Sequence, residues 1–194
     1  FERPNKLRLI CGEGVLICDG TQKWGYVPFL PGQVLKVPAP QGITLEAIFS
    51  DVVLANALMQ GPGQVYTLVP PPLILLVADD PLKTLLYRAK PPEVIPPGTI
   101  GSSTCDRIRL ARSDGDVILW IDRNTRVLER VDLPVERIRQ SLGGQLQSLA
   151  IYAEFVNAAL NVDIDPAAFQ FQPTPESTIV AELHPHGYDR LGSK

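Results

Sequence analysis

Lys6-Leu7-Arg8-Leu9-Ile10-Cys11, Gly12-Glu13-Gly14, Val15-Leu16-Ile17-Cys18, Asp19-Gly20, Thr21-Gln22-Lys23-Trp24-Gly25-Tyr26: this stretch decides the fold class. Leu7, Leu9 and Cys11 fall two residues apart, the period of a half-buried strand. Gly12-Glu13-Gly14 and Asp19-Gly20 are hairpin signals, because glycine supplies the positive φ that tight turns require. Trp24 and Tyr26 again share a face. Gln33–Val37 adds a further short strand. The connections are too short for parallel crossovers, so the strands form an antiparallel meander.

The pattern changes from Thr44 to Met59. Leu45, Ile48, Phe49, Val52, Val53 and Leu58 recur at helical spacing, with a break expected near Ser50-Asp51. Gly61-Pro62-Gly63 is the expected stop. Pro72 to Ala78 is apolar on all sides, so a helix there is expected to be buried. Asp80-Pro81 starts another helix, with Asp80 as N-cap, Pro81 in the first helical position and Leu82, Leu85 and Leu86 pointing inward.

Strands return at Glu93. In Thr104–Arg112, Ile108 and Leu110 take one face and Arg107 and Arg109 the other. Ser113-Asp114-Gly115 turns into Val117–Asp122, and Arg123-Asn124-Thr125 turns again. Val127–Leu142 reads as a long strand interrupted at Pro134. Gly143-Gly144 is a hairpin signal. Gln147–Asn157 follows, with Leu149, Ile151, Ala153 and Phe155 on one face. Asp165-Pro166 caps a short turn before Phe169 and Phe171. Strands, then helices, then strands make an α+β fold: one long antiparallel sheet with helices gathered on one face. The expected domain spans residues 1–181, followed by a polar tail at 182–194.

The 194 residues are enough for one sizeable core, and a 45% hydrophobic content argues against disorder. The formal net charge is −3 and the basic residues are scattered, so nucleic acid is not an expected partner. The 19 prolines cluster at 28–40, 62–72, 91–97 and 173–175 and mark connections between elements. The longest apolar stretch, Val65–Ala78, is too short to span a bilayer. The chain opens on Phe1 in mid-pattern, and is read as trimmed, with a leader missing ahead of it. Cys11, Cys18 and Cys105 define no disulfide framework; a Cys11–Cys18 bridge would need strand neighbours in register.

Several segments, taken in order, resemble one family. They are Arg3-Pro4-Asn5-Lys6-Leu7-Arg8, Asp19 to Tyr26, Cys105 to Leu110, Leu119-Trp120-Ile121-Asp122, Leu128-Glu129-Arg130 and Phe169-Gln170-Phe171-Gln172-Pro173. Together, over about residues 1–180, they resemble the LolA/LolB-type periplasmic lipoprotein carriers and their RseB-like half-barrel relatives. The resemblance implies a curved antiparallel sheet forming an unclosed half-barrel, helices over its concave face, and an apolar cavity between that takes acyl chains. It also implies a periplasmic or otherwise extracytoplasmic location. Arg3 matches the arginine that latches the family's lid to helix-loop carbonyls. A weaker resemblance joins His184–Gly192 to the linker preceding TlpA-type thioredoxin domains in fusion proteins, and implies that the chain comes from such a larger protein.

The candidate ligand-binding residues are Leu9, Trp24, Tyr26, Ile108, Leu110, Ile118, Trp120, Leu149, Ile151 and Phe155. An apolar trough binds acyl chains by burial, each methylene contributing about 0.8 kcal/mol. The competing reading is a filled core in which these side chains only pack, which leaves a protein-interaction or sensor domain. No catalytic residue is assigned. Nucleophilic catalysis needs a positioned base, and both histidines, His184 and His186, lie in the tail. His184-Pro185-His186 with Glu182 or Asp189 lacks a distant third ligand, so no metal and no cofactor is expected. Asp114-Gly115-Asp116 reads as a turn and Asp79-Asp80 as capping. The expected partners are a hydrophobic small molecule, a lipid or lipoprotein, or a partner protein.

Overall fold

The computed structural model describes residues 1–59, 71–113, 115–136, 139 and 148–185. They form an α+β fold with two mostly antiparallel five-stranded sheets and few helices, and among them no sheet closes into a barrel. The single long sheet expected from sequence is thus two sheets. Each belongs to its own compact unit, residues 1–79 with 163–194 and residues 80–162.

The first unit opens with the expected meander: β1 (Lys6–Cys11), β2 (Gly14–Asp19), β3 (Gln22–Tyr26) and β4 (Gln33–Pro38). Its fifth strand lies far off in the chain. Thr178–Val180 pairs parallel to β4 at Gln33–Leu35, a pairing that no local pattern announces. The helical stretch breaks where expected, into α1 (Leu45–Ile48) and α2 (Val52–Met59), followed by α3 (Pro71–Val77). Thr44 and Asp51 accept hydrogen bonds from the N–H groups of Ala47 and Leu54, at 3.1 and 2.8 Å, so each cap starts its helix. In α3, Leu73 and Val77 are buried but Leu76 is exposed, so this helix is not apolar-packed all round. The glycine stop at 61–63 and Gly143-Gly144 lie outside the described residues.

These helices cover one face of the sheet. Leu7, Leu16, Cys18 and Leu35 from the strands meet Ile48, Leu54, Leu58, Leu73 and Val77 in one cluster. Gly14 and Gly25 let α2 sit close: a Cβ on Gly14 would lie 2.9 Å from Leu58 Cγ, and one on Gly25 only 2.6 Å from Leu54 Cδ2. Burial of each such leucine stabilises the unit by about 1.5–3 kcal/mol. Leu183, assigned to the polar tail from sequence, is 2% exposed and joins this cluster.

The second unit begins with α4 (Pro81–Leu85), capped by Asp80 with Pro81 in the first turn as expected. Leu85 is buried, but Leu82 points out to solvent, against expectation. Five antiparallel strands follow: β5 (Glu93–Ile100), β6 (Ser103–Arg112), β7 (Gly115–Asp122), β8 (Leu128–Leu133) and β9 (Ile151–Glu154). Pro96-Pro97 fits because β5 is an edge strand and its register shifts between Ile95 and Gly98. The strand expected over Val127–Leu142 with an interruption at Pro134 stops at Leu133, since Pro134 removes a ladder donor; residues 137, 138 and 140–142 of that stretch lie outside the described residues. The last strand is confined to Ile151–Glu154 rather than running from 147 to 157.

Candidate functional site

Register decides which candidate side chains meet. Leu9 lies opposite Leu16, whereas Trp24 lies opposite Ile17. Leu16 and Ile17 are consecutive and point to opposite faces. Leu9 therefore packs under the helices, while Trp24 and Tyr26 occupy the other face. The second sheet behaves alike: Ile108 pairs with Leu119 and Leu110 with Val117, but Trp120 pairs with Arg107 and Ile118 with Arg109. The expected common apolar face is thereby corrected in both sheets: Ile108 and Leu110 are separated from Ile118 and Trp120.

The helix-free face of the first sheet carries an aromatic site. Trp24 donates its indole N–H to Asp19 Oδ2 at 3.3 Å, and Lys36 Nζ sits 4.7 Å from its ring centroid. Asp19 is held below the usual carboxylate range: burial pushes it up, but the N–H groups of Gln22 and Thr21 and the Trp24 indole outweigh that. The returning segment reaches this face through a 3-10 turn, Pro166–Phe169, capped by Asp165. Phe169 is buried, Arg8 donates to the Ala168 carbonyl at 3.2 Å, and the Phe171 ring stands 5.6 Å from Trp24. Beside this stack lies a cavity of about 380 Å³. Tyr26, Val34 and Phe171 are among its apolar lining residues, and Gln172, Thr174 and Ser177 among its polar ones.

The second sheet has a cavity of about 230 Å³ that brings together three candidates, Ile118, Leu149 and Ile151, with Leu133. Asp116, Asp132 and Glu136 also line it, with Arg130. Trp120 is nearly buried rather than presented to a ligand. Its indole donates to Asp132 Oδ2 at 2.8 Å, and Arg107 and Arg130 lie 4.8 and 5.2 Å from its ring. Leu110 is fully buried and Ile108 half-buried. Phe155 is half-buried, and its N–H donates to the Glu129 carbonyl.

Arg3 is exposed, and among the described residues its side chain makes no hydrogen bond. The contact expected of it is made by a residue the sequence reading missed. Lys23 is 3% exposed on the helix-covered face, and its Nζ donates to the Ala47 carbonyl and to Ser50 Oγ, each at 2.6 Å. Burial lowers its pKa, partly offset by Cys18 and Asp51. Asp51 ties α2 to the returning chain, since its second oxygen accepts the Leu183 N–H at 2.9 Å. An alternating strand offers no signal that a lysine faces inward. Phe171 was visible as part of Phe169-x-Phe171, but its meeting with Trp24 depends on tertiary return.

The thiols are free. Cys11 lies opposite Gly14 and Cys18 opposite Leu7. That separates them by about 13 Å along the strands, beyond the roughly 7 Å Cα reach of a disulfide. No group of three metal-ligating side chains occurs among the described residues, which exclude His186 and Asp189. No helix among them is long and apolar enough to cross a membrane. Compared with models of known families, with curated proteins and with solved structures, the chain matches none.

Proposed function

We propose that this chain is an extracytoplasmic, non-catalytic binding module of LolA-like type, holding a lipid, a lipoprotein acyl chain or another apolar ligand. The observation that carries this reading is the cavity of about 380 Å³ walled by Tyr26, Val34 and Phe171. Its size falls in the range of small-molecule sites, and its lining is more apolar than polar. The half-barrel reading is supported by a helix layer on one face of a mostly antiparallel sheet. The ligand site differs from the one implied by the resemblance, because it lies on the face without helices.

A second reading is favoured by the packing under α2. Leu54 and Leu58 occupy the space above Gly25 and Gly14, so that part of the helix-covered face is filled. A filled core fits a protein-interaction or sensor domain, acting on a partner or on an attached thioredoxin-like domain.

Native mass spectrometry before and after organic extraction separates the two. An extractable adduct of acyl-chain mass, or palmitate binding weakened at least tenfold by Tyr26→Ala with Phe171→Ala, supports the binding module. A clean mass that added palmitate or a synthetic lipopeptide leaves unchanged removes it in favour of the interaction domain.

A further inference from the structure

Nucleophilic chemistry needs a side chain with a positioned base, and the first unit holds such a pair in which the base is a lysine. Lys23 on β3 is 3% exposed, and its Nζ stands 2.6 Å from Ser50 Oγ and 2.6 Å from the Ala47 carbonyl. Ser50 itself is exposed, at the break between α1 and α2. Its hydroxyl has a second acceptor, the Ala47 carbonyl at 3.3 Å. Burying an amine costs free energy, and a neutral donor would fasten the Ala47 carbonyl as well. What a lysine adds is an amine that gives up its proton readily once desolvated. Burial is the larger influence on Lys23 and draws its pKa down, while Cys18 and Asp51 oppose it. When Nζ is neutral, the Ser50 O–H can turn to it and be activated. Cys18, opposite Lys23 in the β2–β3 register, is no rival nucleophile, since it is 1% exposed and burial pushes its thiol up to about 11. The Val52 and Val53 N–H groups open α2 and have no acceptor among the described residues. They are donors two and three residues on from Ser50 for an oxyanion formed there.

We propose that Ser50 is a nucleophile with Lys23 as its base, and that it takes up the acyl group of a thioester. Ser50 Oγ bonds to the acyl carbon, and the bond from that carbon to sulfur breaks. The Ser50 proton passes by way of Lys23 Nζ to the departing thiolate. The products are an acyl-serine and a free thiol. The chain keeps the acyl group, so the step is a covalent modification of one side chain and not turnover. Lys23 lies on the helix-covered face and the Tyr26 cavity on the other, so this site stands or falls separately from that reading.

The test is treatment of this chain with an alkyl fluorophosphonate, which leaves a phosphonyl ester and fluoride at an activated serine, and with the thioester S-hexanoyl-N-acetylcysteamine. Intact mass and peptide mapping are expected to place a single phosphonyl or hexanoyl group on Ser50. Ser177, whose hydroxyl is paired with that of Thr174, should stay unmodified and serves as the internal control. Ser50→Ala, at an exposed position where circular dichroism should show an unchanged fold, is expected to abolish both modifications. Lys23→Met is expected to slow them about a hundredfold, the contribution of a general base. Where Lys23→Met does not fold, the wild-type chain in urea takes its place, because unfolding parts Ser50 from Lys23 and should slow the labelling of Ser50 as much. An unmodified Ser50, equal labelling of Ser50 and Ser177, or a rate that folded Lys23→Met or urea leaves unchanged overturns the proposal. Thiol release that depends on Ser50 and runs past one equivalent also overturns it, since the chain would then not keep the acyl group.

Discussion

A Cβ built on Gly25 lies 2.6 Å from Leu54 Cδ2, so strand β3 and helix α2 meet without room for a methyl group. Leu35 closes the same space, its Cδ2 and Cβ standing 3.1 and 3.2 Å from that point. Gly25→Ala is therefore expected to destabilise the protein by about 1–3 kcal/mol through overpacking. Leu54→Ala is expected to cost about 2–5 kcal/mol by leaving a cavity. The double variant should lose clearly less than both costs together, because the new methyl enters the space that Leu54 leaves. Urea unfolding of the four proteins checks this; strictly additive losses would show that the two residues do not share a space.

Asp51 serves two buried N–H groups, Leu54 at 2.8 Å and Leu183 at 2.9 Å. Asp51→Ala removes a helix cap and leaves the Leu183 donor unpaired, an expected loss of about 2–4 kcal/mol. Asp51→Asn keeps one acceptor oxygen and should recover about half of it. Amide exchange at Leu183 gives the specific readout: it should accelerate in both variants, and more in the alanine one. Unchanged exchange would mean that this hydrogen bond does not hold the returning segment.

Local chemistry was legible in the sequence, and register was not. The break at Ser50-Asp51, the Asp80-Pro81 start and the Asp165-Pro166 turn were all read correctly, since a cap is formed by residues within one helical turn. The four strands of the first meander and the strands of the second sheet were recognisable from alternation and turn glycines; Thr178–Val180 was not. Which faces coincide depends on the pairing across each hairpin, and one position decides it: Leu9 faces Leu16 while Trp24 faces Ile17. The candidate trough, drawn as one face, is therefore divided in both sheets. The aromatic cavity needed Phe171 to return beside Tyr26, and Thr178–Val180 needed β4 as partner. Both are long-range events that a local pattern does not record, and the burial of Lys23 and Leu183 belongs with them.

Cys18 gives a prediction with a definite sign. Burial pushes its thiol up to about 11 from an ordinary 9.0; Lys23 pulls it down in part and Asp19 adds to the rise. Below pH 9 both folded and unfolded chains keep the proton, so Cys18 adds no pH dependence. Between 9 and about 11 the unfolded chain releases the proton and the folded chain does not, so stability falls as pH rises. The fall is about 2–3 kcal/mol across the window. Lys23 acts in the opposite direction as pH approaches its ordinary value, because its folded pKa is depressed. The difference between wild type and Cys18→Val, followed by urea unfolding against pH, isolates the thiol. A difference that stays flat from pH 8 to 11 would contradict the assignment. Alkylation near neutral pH offers a second check: Cys11 should react first, and Cys18 and Cys105 only in denaturant, since both are buried.

Gly98 and Trp120 make the corresponding close contact in the second sheet. A Cβ on Gly98 would stand 2.3 Å from Trp120 Cζ3 and 2.8 Å from Cη2, so Gly98→Ala must displace the indole. That ring is fixed on its other sides by the hydrogen bond to Asp132 and by the Arg107 and Arg130 guanidiniums. Displacement is expected to cost about 1–3 kcal/mol and to expose the ring to water. The chain has two tryptophans, so the reading is made in a Trp24→Phe background, where emission reports Trp120 alone. Gly98→Ala should shift that emission to longer wavelength and lower the urea midpoint. Arg130→Ala, which removes a cation from both Trp120 and Tyr152, should lower the stability by about 1 kcal/mol with a smaller spectral change. If Gly98→Ala leaves both emission and midpoint untouched, the indole does not rest on β5, and the register shift between Ile95 and Gly98 has no role in seating it.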